Sequence, residues 1–261
     1  MILNSKGNLH YLSFESFDHP GVINAIFSRH GGFSPKPWDS LNMGNLVGDN
    51  QYRVQKNRDI AFSVVNRDPK SIFDVWQVHS SMVVCTDSPR LINQKHLKGD
   101  AIITNNPMVT LFMRFADCVP ILLFDPEQKV VGLVHSGWQG TVQKIVSSAV
   151  SEMVNKYGCE PNNILAGIGP SISVDQYFIG QDVAQNVKDS FGNVGDHFLM
   201  EQNGKLKFDL WEANRYLLKK SGIKEIEISG VCTATNPNDW FSHRYTRGMT
   251  GRFGALIGLS P

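Results

Sequence analysis

DCVPILLFDPEQKVVGLVHSGWQG, residues 117–140, decides how the rest of the chain is read. A first apolar run starts at Cys118 and Asp125-Pro126 supplies a turn. A second apolar run, Lys129 to Val134, ends at His135. Two short apolar runs joined by a turn predict neighbouring strands. Gly137-Trp138 then opens a helical pattern, clearest over 141–157, where Val142, Ile145, Val146, Ala149, Val150 and Met153 recur at three- and four-residue steps. Gly158 suits the position just past its end. One thiol and one imidazole, 17 positions apart, therefore border one hairpin just before a helix. Both groups are metal ligands and both serve in nucleophilic catalysis.

Upstream, GDAIIT (99–104) and MVTLFMRF (108–115) read as strands separated by the turn Asn105-Asn106-Pro107. FDVWQVHS (73–80) and MVVCT (82–86) are β-rich, and on a regular strand Gln77 and His79 share a face. VINAIFS (22–28) predicts a strand, followed by a long Gly-, Pro- and Asn-rich loop to Asn50. A loop of that length inside a domain, carrying Arg29, His30, Trp38, Asn42 and Asp49, points to function. Asp49 is placed to cap a helix over 51–66. Downstream come a strand entering a turn (163–173), helices over 181–191 and 209–221, a strand over 225–233 and a final apolar strand. Strands interspersed with helices predict a mixed α/β (α+β) domain over residues 1–261.

Composition excludes more than it selects. Hydrophobic residues at 41% and charged residues at 19% suit a globular chain, and a formal net charge of +1 gives no bulk electrostatic case for nucleic acid or an anionic membrane. No run of about 18 apolar residues predicts a membrane helix. The first residues lack the pattern of a signal peptide. Cys85, Cys118, Cys159 and Cys232 show no CxxC spacing, so reduced thiols and a cytoplasmic location are expected.

Cys118 and His135 taken singly read as a buried hydrophobe and a structural histidine. His79 adds a third metal-binding group. One thiolate and two imidazoles leave a fourth position open, as catalytic zinc requires. Their separations, 39 and 17 residues, match no local zinc-finger spacing. The residues alone therefore also admit a metal-free Cys118–His135 nucleophile, a copper site, or a structural zinc completed by a residue such as Asp117.

The motifs SRHGGFSPKPWDSLNMGNLVGD, the V-x-x-N-R of Val54 to Arg58, WQVHSSMV, GDAIIT, ADCVPILLFD, VGLVHSGWQGTV, GIGPSIS, FDLW, CTATNPNDWFSHRYTRGMTGR and the final apolar strand run in order over about residues 22–259. In them the chain resembles the bacterial laccase-domain family, also called the purine nucleoside phosphorylase, polyphenol oxidase or peptidoglycan-editing-factor family. The resemblance implies a four-layer α/β/β/α fold with mixed sheets, related to toxin deamidases that use a Cys-His pair. It implies that His79, Cys118 and His135 form the catalytic metal triad, holding zinc or copper. The implied activity is phosphorolysis of adenosine, inosine and S-methyl-5'-thioadenosine with inorganic phosphate, together with adenosine deamination. Phenol oxidation and editing of peptidoglycan precursors are the family's other labels. Candidate substrate-binding residues are Arg29, Asn42, Gln77, Asp117, Trp138, Arg244 and Arg252. The arginines would hold phosphate or ribose oxygens through paired donors, Gln77 would orient His79 or substrate, Asp117 would steady the site or carry a proton, and Trp138 would stack a base. The expected state is a monomer or homodimer acting on small molecules. Where the family has H-A-G-W-R-G this chain reads His135-Ser136-Gly137-Trp138-Gln139-Gly140. Where the family has S-Y-R-R it reads Ser242-His243-Arg244-Tyr245, with Arg247 two positions on. Gln139 and Tyr245 thus replace two cations, which bears on phosphate use.

Overall fold

The computed structural model describes residues 1–91 and 93–260. Its strands are β1 (Ile2–Lys6), β2 (Leu9–Ser13), β3 (Val22–Phe27), β4 (Ile72–Phe73), β5 (Val83–Cys85), β6 (Ala101–Thr104), β7 (Thr110–Phe115), β8 (Val119–Asp125), β9 (Val130–Ser136), β10 (Leu165–Ile168), β11 (Phe178–Ile179), β12 (Leu199–Gln202), β13 (Lys205–Phe208), β14 (Ile226–Ile228) and β15 (Phe253–Leu259). The α-helices are α1 (Gln51–Val64), α2 (Trp138–Val142), α3 (Ile145–Tyr157), α4 (Gln181–Phe191) and α5 (Leu210–Lys220). One sheet has the order β1-β2-β3-β15-β7-β4, a second β14-β10-β8-β9-β6-β5, and a small one β11-β13-β12. Both large sheets are mixed, with parallel pairs β4–β7, β5–β6 and β10–β14 among antiparallel ones. Among the described residues no helix is long and apolar enough to cross a membrane.

The two-residue period of the strands builds the layers. Leu111, Met113 and Phe115 of β7 and Phe253, Ala255 and Ile257 of β15 point into the space between the large sheets. Leu122 and Phe124 of β8 and Val131 and Leu133 of β9 meet them there. The opposite parity of the same two strands, including Ile121, Leu123, Val130 and Val134, packs against Val146 and Val150 of α3 and Leu217 of α5. Phe112 and Leu256 face the other way and cover Ala61 and Phe62 of α1. The order of layers is α1, first sheet, second sheet, then α3 and α5: the expected α/β/β/α arrangement.

Local structure departs from the sequence pattern at several places. Asn50, not Asp49, caps α1, accepting from the N–H groups of Tyr52 and Arg53. Asp49 turns inward, where one carboxylate oxygen accepts from Ser34 Oγ at 2.6 Å and Asn42 Nδ2 at 2.9 Å. The segment 73–80 is mostly not a strand. After β4 only Trp76 bridges Lys98, and His79 has a left-handed φ of 58°, so Gln77 and His79 do not share a strand face. The helix expected to run on from Trp138 is two helices, broken at Lys144 with φ 60°. Periodicity spans the break because Val142 and Ile145 both still pack on the same cluster. The expected strand 225–233 shrinks to β14. The β1–β2 hairpin and the small sheet carry largely exposed or partly exposed side chains, and so lack the alternation that marks a strand.

The long loop 28–50 is held by polar groups rather than apolar ones. Asn57 on α1 is fully buried. Its Oδ1 accepts from Phe33 N at 2.8 Å, and its Nδ2 donates to Ser34 Oγ, Ser40 O and Asn42 O. Its neighbour Arg58 donates through Nε and Nη2 to Met43 O. Asn57→Ala is expected to lower the unfolding free energy by about 1–3 kcal/mol, since it leaves buried partners unpaired. Urea unfolding monitored by circular dichroism would measure the loss.

Candidate metal centre and cavity

The pairing of β8 with β9 sets Pro120 opposite His135 and Val119 opposite Ser136. His135 shares the parity of Val131 and Leu133 and so faces the layer between the sheets, with its ring 5.3 Å from that of Phe115. Cys118, just before β8, shares the parity of Leu122 and Phe124 and packs on the same layer. Asp117, with φ 85°, introduces it. The Asp117 carboxylate accepts from Thr233 Oγ1 at 2.7 Å and from Arg244 N at 2.6 Å, and its carbonyl accepts from Ile172 N. Those bonds fasten the approach to Cys118 to three other segments. His79 arrives from the loop before β5, and its carbonyl accepts from Gln143 Nε2 at 3.3 Å.

These elements bring one ligand atom each from His79, Cys118 and His135 within 4.8 Å of one another. Cys118 Sγ lies 3.9 Å from His79 Nε2, and the two imidazole rings stand 5.0 Å apart at 71°. His135 is buried, Cys118 half-buried and His79 exposed, so the group opens to solvent on one side. Burial pushes the Cys118 thiol up, but the adjacent His135 and His79 imidazoles outweigh it and bring the thiol to about 6. Burial opposes a cationic His135, yet the Cys118 thiolate and Asp100 raise it to about 9. Burial likewise works against the Asp100 carboxylate, and its bonds to His135 and Ser80 still hold it below the usual carboxylate range. Each charged form favours the other, so the surroundings lower the thiol and raise the imidazole of this pair.

The residues fit a metal ion. A thiolate with two imidazoles is a donor set for zinc or copper, and three protein ligands leave a position for substrate. Among the described residues this is the single group of three or more His, Cys, Asp or Glu side chains so arranged. Gly137 keeps the place clear: a Cβ there would lie 2.9 Å from Cys118 Sγ and 3.3 Å from His79 Cδ2.

Beside the triad is a cavity of about 180 Å³. His79, Cys118, Asp117 and Gln139 contribute its polar lining, and Trp138, Ile172, Tyr177 and Leu210 its apolar lining. Of the candidate residues, His79, Cys118, Asp117 and Trp138 line it directly, while His135 sits behind them. Arg244 stands at its margin, with its guanidinium 4.9 Å from the ring centre of Tyr177 and donating to Phe178 O at 2.6 Å. Arg252 is half-buried and donates through Nη1 to Thr250 O and Gly251 O. Burial lowers its pKa, and the charges that oppose that lowering are Cys118 and Asp117.

The remaining candidates are engaged elsewhere. Arg29 donates to Asp39 and Pro237 O and stacks 4.6 Å over Phe241. Asn42 is fully buried, joining Gly44, Asp49 and Arg252 N. Gln77 exchanges hydrogen bonds with the backbone of Arg114. All three brace loops around the site and do not line the cavity. Asp117 braces the approach to Cys118 with one hydrogen bond on each carboxylate oxygen and also lines the cavity. Of the two departures in the Gly137 segment, only Gln139 meets the cavity. Ser136 faces α5, 2.8 Å from Asn214 Oδ1 and 3.0 Å from Thr141 Oγ1. Sequence reasoning missed Asp100, Ile172, Tyr177 and Leu210. Asp100 had a signal, as an acid opening the apolar strand of GDAIIT; Tyr177 and Leu210 read as ordinary core positions.

Residues 23–260 match the family described as multi-copper polyphenol oxidoreductase laccase. The chain belongs to this family. This laccase-family chain is 37% identical over 248 residues to the purine nucleoside phosphorylase YlmD of Bacillus subtilis, covering 91% of this chain and 88% of the relative. It is 36% identical to a purine nucleoside phosphorylase of Deinococcus radiodurans, covering 91% and 89%. The crystal structure of YlmD from Geobacillus stearothermophilus superposes with a TM-score of 0.92 at 29% identity, covering 100% of this chain and 99% of that one.

Two measurements test the site. Alkylation of the metal-free protein by iodoacetamide, followed by peptide mass spectrometry, should label Cys118 at neutral pH and lose that label as pH falls through about 6, because the thiolate is consumed by protonation. Cys159, pushed up to about 12, should stay unlabelled. Gly137→Ala should reduce the metal bound per chain, read by metal analysis, with the fold retained.

Proposed function

We propose that this chain is a zinc-dependent purine nucleoside phosphorylase, cleaving adenosine, inosine and S-methyl-5'-thioadenosine with inorganic phosphate and also deaminating adenosine. The observation that carries the reading is the meeting of His79, Cys118 and His135 in the wall of a small cavity otherwise rich in aromatic and aliphatic surface. A purine asks for a flat apolar slot with few oriented polar groups. Trp138, Ile172, Tyr177 and Leu210 offer the slot, and Gln139 offers an amide to a base edge. His79, Cys118 and His135 would hold a zinc ion, which would supply Lewis acidity. Arg244 and Arg252 are assigned to phosphate or ribose oxygens. Arg244 is steadied over Tyr177, and Nε and Nη2 of Arg252 make no hydrogen bond among the described residues. Asn42 accepts from Arg252 N, Arg29 braces the 237–241 segment that leads to Arg244, and Gln77 braces the chain that leads to His79.

A second reading has its own support. The lowered Cys118 thiol beside a raised His135 is the state of a cysteine nucleophile with its base, which fits a metal-free amide hydrolase acting on peptidoglycan precursors. The description of the matched family supports a third, copper-dependent phenol oxidation at the same triad. Metal analysis of freshly purified protein, coupled to chromatography of adenosine reactions with and without phosphate, separates them. Zinc together with phosphate-dependent adenine release supports phosphorolysis, and inosine supports deamination. Cys118→Ala should lose both bound metal and nucleoside turnover; a metal-free variant with full turnover would sink the proposal. Chelator-resistant amide hydrolysis blocked by iodoacetamide would install the second reading, and phenol oxidation regained only with copper the third.

A further inference from the structure

Asp100 lies outside the triad and outside the cavity lining, yet it touches the chain on both sides of the metal centre. It immediately precedes β6, and its side chain is fully buried. Its two carboxylate oxygens have separate partners. Oδ1 lies 3.0 Å from His135 Nδ1. Oδ2 accepts from Val78 N at 3.2 Å, Ser80 N at 2.7 Å and Ser80 Oγ at 2.8 Å. The two amides flank His79, whose left-handed φ of 58° turns them to the same side. Amides converging in this way form a concave anion-binding nest, and the Asp100 carboxylate fills it. The Asp100 carbonyl also accepts from His135 N at 2.7 Å.

An ionised carboxylate only accepts hydrogen bonds. His135 Nδ1 must therefore carry the ring proton, which leaves the Nε2 lone pair for a metal. The two histidines come from unrelated elements, a loop and the end of β9, and this one side chain sets the pose of both. We propose that Asp100 is the positioning residue of the metal centre: it fixes the His135 tautomer with Nε2 free and orders the His79 backbone by occupying the nest around it. The proposal rests on the triad being a metal centre.

The experiment uses Asp100→Asn, which keeps size and shape. An amide has one accepting oxygen. The nest of N–H donors demands that oxygen, so the NH₂ group must face His135 Nδ1, which then accepts and shifts the ring proton to Nε2. A proton on Nε2 competes with metal for that nitrogen. Nitrogen-15 NMR of the metal-free variant, above the His135 titration, is expected to show the proton on Nε2, against Nδ1 in the wild type. Zinc affinity, measured by competition with a chromophoric chelator, is expected to fall about 10- to 100-fold. A purely structural role would lower the melting temperature without moving that proton. Wild-type zinc affinity, or a proton that stays on Nδ1, overturns the proposal. Where Asp100→Asn does not fold, Asp100→Glu carries the test: it should keep the Nδ1 proton and bind zinc more weakly than the wild type, and unchanged affinity overturns the assignment. A wild-type protein that binds no zinc overturns the metal reading alone, and the ring-proton measurement then still decides the role of Asp100.

Discussion

The β8–β9 register is the constraint on which the site depends. Because side chains alternate, a slip of one residue would turn His135 toward the helices and Ser136 toward the triad. What holds the register is packing rather than the site. Leu122, Phe124, Val131 and Leu133 are each almost completely buried between the sheets, at about 1.5–3 kcal/mol apiece. Their sum exceeds a single hydrogen bond between charged groups at the triad, about 1.5–3 kcal/mol. The hydrophobic layer therefore chooses the pairing, and the chemistry inherits its geometry. The helix side helps from the other face, where Ser136, Thr141 and Asn214 satisfy one another and lock the turn that carries Gly137.

Around this apolar frame the loops are positioned by buried polar groups. Asn42, Asp49, Asn57 and Arg58 tie the 28–50 loop to α1 and to the backbone at Arg252. Asp117 ties Cys118 to the segments at Ile172, Thr233 and Arg244. Such groups are costly when unpaired, so each network fixes one loop arrangement rather than several.

Which features were legible follows from their physics. The strands bearing Cys118 and His135 could be read because buried strands are apolar runs and turns have a short vocabulary, as at Asp125-Pro126. The helices at 181–191 and 209–221 were legible from periodicity and, for the second, from the Asp209 cap. The meeting of His79 with the other two ligands was not legible from spacing. It depends on a left-handed residue and on an acid 21 positions later, and nothing in a local pattern encodes that pairing. Ligand chemistry alone suggested His79 as the third group, and the resemblance supplied the assignment. Asn42, Gln77 and Arg29 have the chemistry of ligand-binding groups, and in the fold they hydrogen-bond to protein partners, both backbone and side chain, outside the cavity lining. The hairpin β1–β2 escaped notice because its exposure hides alternation.

β15 lies at the middle of the first sheet, between β3 and β7, and all seven of its residues are buried. Residues 22–27 and 110–115 are thus joined by a strand that comes nearly 140 positions after the second of them. During synthesis both must wait with unpaired edges until residues 253–259 emerge. Closure of so non-local a sheet is slow, and open apolar edges invite pairing with other chains. The order of the strands thus leaves one open edge on each of β3 and β7 until residues 253–259 are made.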